Sequence, residues 1–340
     1  MKLKKEFSDF YSYIRIDSET NALIDKKNVL ENDIKNNLPS ILEDCEIHIS
    51  KTDIRMIDQG SYKYNTTISA DVVDRDVAVM IPLDTTTNAD PRKLKGYLQD
   101  AVNITSRTVT IKEPCVRVSY YENGIEYLHI DLPLYAEDGL NIYLARGRMN
   151  SDDYSWEIAD PDGINNDLCN RINKHDQLRR TICYVKKWRN EKYSSAKSDH
   201  EIPPSIGLTY LVCDCFTEQI TPEGDDDLLA LQKTMKAIKD KFSCTYNNGE
   251  VISADVSRYL TFKPYTDVFN KMRNSSQMYM LTFYKRLSKA VDNLTNAVNV
   301  ESEHDAAEYV QRVLGSAFVV PPKATTTATV QSVREHSFGQ

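Results

Sequence analysis

The segment VDRDVAVMIPL (73–83) alternates at period two and is bounded by Pro82, the pattern of a β-strand. On a strand, residues two apart face the same side, so Asp74 and Asp76 project together. Two ionised carboxylates at that spacing repel each other and need a cation. A third, Asp131, sits between Ile130 and Leu132 inside the apolar run YLHIDLPLY, also a poor place for an unpaired charge. Three carboxylates on neighbouring strands would make an all-oxygen site suited to Mg²⁺ or Mn²⁺.

An Asp-x-Asp strand by itself is common, and half-exposed strands carry carboxylates on their solvent face. The surrounding sequence adds weight to the metal reading. Gly60-Ser61 ends the preceding strand-like run, DIRMID, shortly before Asp74. A glycine there lets backbone N–H groups approach a phosphate closely, and the Ser61 hydroxyl supplies one more donor. A site of this kind can hold two ions roughly 3.5–4 Å apart, the arrangement that serves in-line displacement at phosphorus.

The rest of the chain supplies the frame. Phe7, Phe10, Tyr11 and Ile14 fall on one helical face, and a second helix is expected from an N-cap at Ser18 to about Pro39. CEIHIS (45–50) reads as β-like, and Asp90-Pro91 opens a helix as N-cap and N1 proline. Asn123-Gly124 lies between two strand-like runs, a hairpin signal because both residues tolerate positive φ. After about residue 160 the pattern turns almost wholly helical. The expected class is α+β with two lobes: 1–160 a mixed sheet with N-terminal helices, 161–320 a helical lobe, and 321–340 a flexible tail.

Composition excludes several other classes. No apolar run reaches the roughly 18 residues of a membrane span. The start, MKLKKEFSDFYSYI, lacks the apolar stretch and cleavage site of a signal peptide, so a cytoplasmic protein is expected. The seven Cys include no CxxC pair and the six His no metal-type spacing, which favours buried reduced thiols over zinc or disulfides. Forty-two basic against fifty acidic residues, a formal net charge of -8, argue against a protein that grips long nucleic acid.

Gly60-Ser61, Asp74-x-Asp76 and the later-strand Asp131 together resemble the active-site signature of DNA polymerase β-type nucleotidyltransferases. YVKKWR (184–189) and IPPSIGLTYL (202–211) are similar to the helix and Pro-Pro pattern of oligoadenylate synthetases. The whole layout, about residues 1–320, looks like the bacterial CD-NTases (SMODS family), relatives of cyclic GMP-AMP synthase. The resemblance implies that Asp74, Asp76 and Asp131 hold two Mg²⁺ or Mn²⁺ ions. Asp131 would also help deprotonate the attacking ribose hydroxyl. Gly60 and Ser61 would touch the β- and γ-phosphates, and Lys186, with Lys187 as a neighbouring candidate, the triphosphate.

Ser205 matches the polar residue at the next helix start, where Pro203-Pro204 presents a helix N-terminus favourable to an anion. Lys186 sits beside the apolar stripe of its helix, where it faces the lobe interface or stands as a solvated surface lysine. Tyr64, near the turn, is a candidate for stacking on a base or a plain core residue. The implied activity joins ATP or other NTPs into a cyclic di- or trinucleotide that acts in anti-phage signalling. Linear oligonucleotide synthesis, RNA 3′-end addition and non-catalytic nucleotide binding are the alternatives. The zinc cluster of the vertebrate DNA sensor is missing from the sequence. In some members of the resembled family a regulatory or conjugating partner grips the C-terminal tail, and the alternative for this tail is plain disorder.

Overall fold

The computed structural model describes residues 2–16, 21–69, 72–104 and 107–323. The expected N-cap Ser18 and the tail beyond residue 323 lie outside the described residues. Helices α1 (Lys4–Ile14) and α2 (Asn21–Glu43) come first, then β1 (Arg55–Gln59), the single-turn α3 (Gly60–Lys63), β2 (Val73–Pro82) and α4 (Pro91–Val102). Six strands follow: β3 (Thr108–Ile111), β4 (Val116–Glu122), β5 (Ile125–Leu132), β6 (Leu134–Asp138), β7 (Asn141–Gly147) and β8 (Tyr154–Ala159).

The remainder begins with α5 (Pro161–Ile172), α6 (Asp176–Lys192) and α7 (Ser205–Cys215). The two-residue strands β9 (Ile220–Thr221) and β10 (Gly224–Asp225) precede α8 (Asp227–Asp240). The hairpin β11 (Ser243–Asn247) and β12 (Glu250–Asp255) leads to α9 (Asn270–Ser275), α10 (Gln277–Asn299) and α11 (Glu303–Leu314). This is the expected α+β class. No helix among the described residues is long and apolar enough to cross a membrane.

The sheet is organised around β2. It runs parallel to β5 and β6, pairing Val73 with Leu128, Asp76 with Asp131, Val79 with Leu134 and Pro82 with Glu137 at one unbroken offset. β5 and β6 are therefore one strand, interrupted at Pro133, which has no N–H to give to the ladder. β1 lies antiparallel along the other edge of β2. Beyond β5 and β6 the sheet forks: β4 and β3 continue from β5, and β7 and β8 from β6. The fork opens beside the carboxylates.

Alternation on β2 sorts its side chains. Val77, Val79 and Ile81 share one apolar core with Leu30, Ile34, Leu38 and Leu42 of α2 and with Leu94 and Leu98 of α4. The opposite face carries Asp74 and Asp76, then Ala78 and Met80, which cluster with Tyr135 of β6. A second core is built from the helical half. Helix α1, first in the chain, joins this second core. Phe7 meets the rings of Tyr184 and Phe318 at centroid distances of 5.2 and 5.1 Å.

Three local expectations need correction. Helix α2 runs through Pro39 to Glu43, because Leu38 and Leu42 prolong its buried stripe. Burying each leucine is worth about 1.5–3 kcal/mol, enough to offset the roughly 3 kcal/mol of an interior proline. Residues 45–50 form no strand. Ile47 N–H bonds back to Leu42 O (2.9 Å) around Glu46 at φ 62°, so the segment terminates α2, while Ile47 and Ile49 pack on the sheet core. The helical half also contains the β11–β12 hairpin, whose turn places Asn248 and Gly249 at φ 49° and 82°.

The Asp90-Pro91 helix start and the Asn123-Gly124 hairpin are present. Asp90 caps Arg92 N–H, and the hairpin residues have φ 52° and 80°. All seven cysteines are free.

Candidate active site

The register of β1, β2, β5 and β4 puts four polar residues in one row on one face: Gln59, Asp76, Asp131 and Arg117. A second pair lies two residues back, with Asp74 directly opposite His129. The carboxylates that alternation alone predicted to share a face therefore sit beside each other across strands as well as along one.

Gly60 follows β1 at φ 65°, a conformation that glycine adopts without strain. A Cβ at this position would collide with Asp76 Oδ2, so the turn lies directly against that carboxylate. Ser61 starts the single turn that follows. Its carbonyl accepts from Thr66 N–H (2.9 Å) and its hydroxyl from Thr67 Oγ1 (3.2 Å).

A cleft of about 610 Å³ opens over this face, within the range of small-molecule sites. Gly60, Ser61, Tyr64, Asp74, Asp76, Lys186 and Ser205 all border it, so the structure brings seven of the expected residues together. Asp131 adjoins them as the partner of Asp76. Lys187 is directed elsewhere, to Glu191 Oε1 at 2.7 Å. The buried Tyr64 donates its hydroxyl to Asn165 Oδ1 (2.8 Å), and burial drives its pKa far above the ordinary tyrosine value. Lys186 Nζ donates to both the carbonyl and the hydroxyl of Thr66, each at 3.1 Å. Ser205 opens α7 directly after Pro203-Pro204, as the sequence implies.

The electrostatics follow from crowding. Burial, then the negative charges of Asp74 and Asp131, push the Asp76 carboxyl up to about 8. Burial pushes Lys186 down to about 8, with Asp76 and Asp74 pulling it back up. Burial acts to lower His129, but its bond from Nε2 to Asp74 Oδ1 (3.1 Å) outweighs that, and the ring titrates above its usual value.

Three functional-looking residues escape single-sequence reading. Arg117 grips both oxygens of Asp131, Nε to Oδ1 at 2.7 Å and Nη2 to Oδ2 at 2.8 Å. His129 stands two residues before Asp131 on the same strand face, a period-two signal visible in HID. Arg75, between the two β2 aspartates, points to the opposite face. It bonds Asp58 Oδ1 (2.8 Å) and Leu23 O (3.1 Å) and stacks 3.7 Å over the Tyr62 ring, tying β1, α2 and α3 to β2.

One ligand atom each from Asp74, His129 and Asp131 lies within 4.8 Å of the others. The converging set thus contains an imidazole that the three-aspartate expectation omits. With Asp76 alongside and unable to ionise easily beside its neighbours, these residues fit a divalent cation.

The site thus combines a forked mixed sheet, a glycine turn over paired aspartates and a cleft bordered by residues of the helical half. Residues 54–135, which contain the turn and all three aspartates, match the family model described as the nucleotidyltransferase domain of cyclic GMP-AMP synthase DncV-like proteins. This part of the chain is similar to that domain.

Solved structures extend the likeness over most of the chain. Vibrio cholerae DncV cyclic AMP-GMP synthase in complex with nonhydrolyzable GTP superposes with a TM-score of 0.68 at 15% identity, covering 95% of this chain and 100% of that one. The Bradyrhizobium diazoefficiens CD-NTase CdnG in complex with GTP gives 0.67 at 13%, covering 93% and 96%. Escherichia coli DncV in its 3′-deoxy GTP bound form gives 0.65 at 13%, covering 90% and 93%. At these identities the likeness is one of fold.

Proposed function

We propose that this protein is a metal-dependent synthase that joins NTPs, ATP and GTP among them, into a cyclic di- or trinucleotide with release of pyrophosphate. The observation that carries the reading is Asp76, in register with Asp131, lying against the Gly60 turn in a nucleotide-sized cleft. The cyclic product is inferred from the fold shared with DncV and CdnG. A role for that product in anti-phage signalling is part of the same inference.

Asp74, Asp76 and Asp131 would hold one or two Mg²⁺ or Mn²⁺ ions. When bound, such ions neutralise the triphosphate and stabilise the charge that develops on the attacking and leaving oxygens. The chain's own residues do the remainder. The Gly60 turn offers backbone N–H groups to the terminal phosphates. Lys186, anchored on Thr66, presents a cation from the helical half. Asp131, held in orientation by Arg117, takes up the proton of the attacking hydroxyl. The catalysis is mainly positioning and charge complementarity.

We infer that the sheet half, to about residue 160, and the helical half, 161–320, form the two walls between which nucleotides bind. Lys263 Nζ, from the loop before α9, already reaches Asn141 Oδ1 (2.7 Å) across this boundary.

The test is incubation of the purified protein with Mg²⁺ or Mn²⁺ and the four labelled NTPs, followed by phosphatase treatment and mass spectrometry. A phosphatase-resistant cyclic product, missing with Asp76→Ala, is expected. A phosphatase-sensitive product would move the assignment to linear synthesis, and unchanged product from the variant would remove the site.

A further inference from the structure

The strand face of β5 that presents Asp131 also presents His129, and β2 sets Asp74 directly across from it. His129 Nε2 lies 3.1 Å from Asp74 Oδ1, while Nδ1 lies 3.3 Å from Glu126 Oε1. A ligand atom from each of Asp74, His129 and Asp131 falls inside a 4.8 Å span. We propose that His129 is itself a ligand of the divalent cation, and that the resulting carboxylate–imidazole donor set selects Mn²⁺ over Mg²⁺. The inference rests on the metal-dependent reading above.

Two observations carry it. The first is the partner on the far ring nitrogen. A histidine that binds a metal ordinarily gives its other N–H to a carboxylate, carbonyl or water, which fixes the tautomer and aims the free lone pair at the ion. Glu126, three residues upstream on the same strand, occupies that position. The second is the contrast in exposure. The His129 side chain is 12% exposed and held, whereas the Asp74 side chain is 56% exposed. An open carboxylate gains little from a solvent-screened imidazole contact. Both groups gain from a cation bound between them.

Selectivity then follows from donor chemistry. Mg²⁺ demands near-ideal octahedral oxygen coordination and gives up water reluctantly. Imidazole nitrogen suits transition ions, and Mn²⁺ tolerates a mixed nitrogen and oxygen set. A site of three aspartates alone would have no such bias.

The experiment uses the full chain with Mn²⁺ alone. Electron spin-echo envelope modulation of bound Mn²⁺ is expected to show nitrogen coupling in the wild type and none in His129→Asn. Titration is expected to show Mn²⁺ affinity falling about tenfold or more in the variant, as for loss of a ligand or its support, while Mg²⁺ affinity changes less than about threefold.

A wild-type spectrum without nitrogen coupling overturns the proposal, as does an equal loss of both metals in the variant. The wild-type spectrum decides the matter even if His129→Asn does not fold. NTP turnover with Mn²⁺ but no nitrogen coupling removes the ligand assignment alone. Nitrogen coupling without NTP turnover under any metal removes the synthase reading and leaves the ligand in place.

Discussion

Asp76 on β2 and Asp131 on β5 are register partners in a parallel pair, and the row they occupy is closed by Gln59 on one side and Arg117 on the other. The register that aligns these two carboxylates is the same one that runs through Pro133 into β6, so the continuity of one strand sets the geometry of the site. Crowding of negative charge is a direct result. It stores a repulsion that a bound cation relieves.

That repulsion makes Asp76 a stability liability in metal-free protein. Its carboxyl has an ordinary value of 3.8 and titrates at about 8 in the folded state. Between these values the folded chain holds a proton that the unfolded chain has released. Folding stability therefore falls as pH rises from about 4 to about 8, and the loss is complete above the folded value. In EDTA at about pH 8.5, Asp76→Asn is expected to be more stable than wild type by at least about 1 kcal/mol, while making no product. Equal melting temperatures at pH 6 and 8.5 for the wild type would contradict the assignment.

Gly60→Ala separates collision from backbone strain. The substitution places a methyl group against Asp76 Oδ2 at φ 65°. Gly139→Ala, at φ 60° with nothing within 4 Å of its Cβ, carries the strain without the collision. Both are expected to lose about 1 kcal/mol from the positive φ. Only Gly60→Ala is expected to lower kcat, by about a hundredfold, since a misplacement near 1 Å at reacting groups has that effect. Denaturant melts and steady-state kinetics on the pair check this.

Lys186 gives a pH dependence of the opposite kind from a metal site. Burial sets its ammonium at about 8. Below that value it offers a positive charge to a triphosphate, and the charge disappears as pH rises through it. Metal-free binding of a nonhydrolysable NTP is expected to weaken across about pH 7–9. In Lys186→Arg the guanidinium remains charged throughout, so this component of the slope disappears. Calorimetric titration at several pH values would show it. A profile identical in wild type and Lys186→Arg would remove the lysine from the phosphate site.

Much of the site was legible because it obeys short periods. Asp74 and Asp76 follow the alternation of one strand, and Gly60 announces a turn whose positive φ only the structure confirms. Lys186 was legible as the neighbour of an apolar helix stripe but not as a residue bonded to Thr66, a contact that spans two distant parts of the chain. Arg117 was hidden for a related reason. Its pairing with Asp131 depends on a hairpin register that shifts at Tyr120–Tyr121, and a register shift cannot be counted from sequence.

The β11–β12 hairpin was missed because its strands are mostly exposed and carry no hydrophobic alternation, although Asn248-Gly249 marks its turn. The assignment of α1 was hidden as well. An amphipathic stripe says that a helix packs, not which core receives it.

Arg117 supplies the last prediction. Its fork occupies both oxygens of Asp131, with side-chain exposures of 28% and 12% for the two partners. Arg117 stands at the end of the carboxylate row, away from Lys186 and the turn that would face a triphosphate. Its removal should therefore disturb the proposed proton acceptor, Asp131, more than nucleotide binding. Arg117→Ala is expected to lower kcat about ten- to a hundredfold through loss of that orientation, with KM for NTP nearly unchanged. It also leaves a largely buried carboxylate without its partner, for about 1–3 kcal/mol of lost stability. Arg117→Lys keeps the charge but replaces a planar two-point grip with a single ammonium, so it should recover most of the stability and only part of kcat. Kinetics and denaturant melts on the two variants measure each term. A raised KM with intact kcat would place Arg117 in nucleotide binding instead of in the orientation of Asp131.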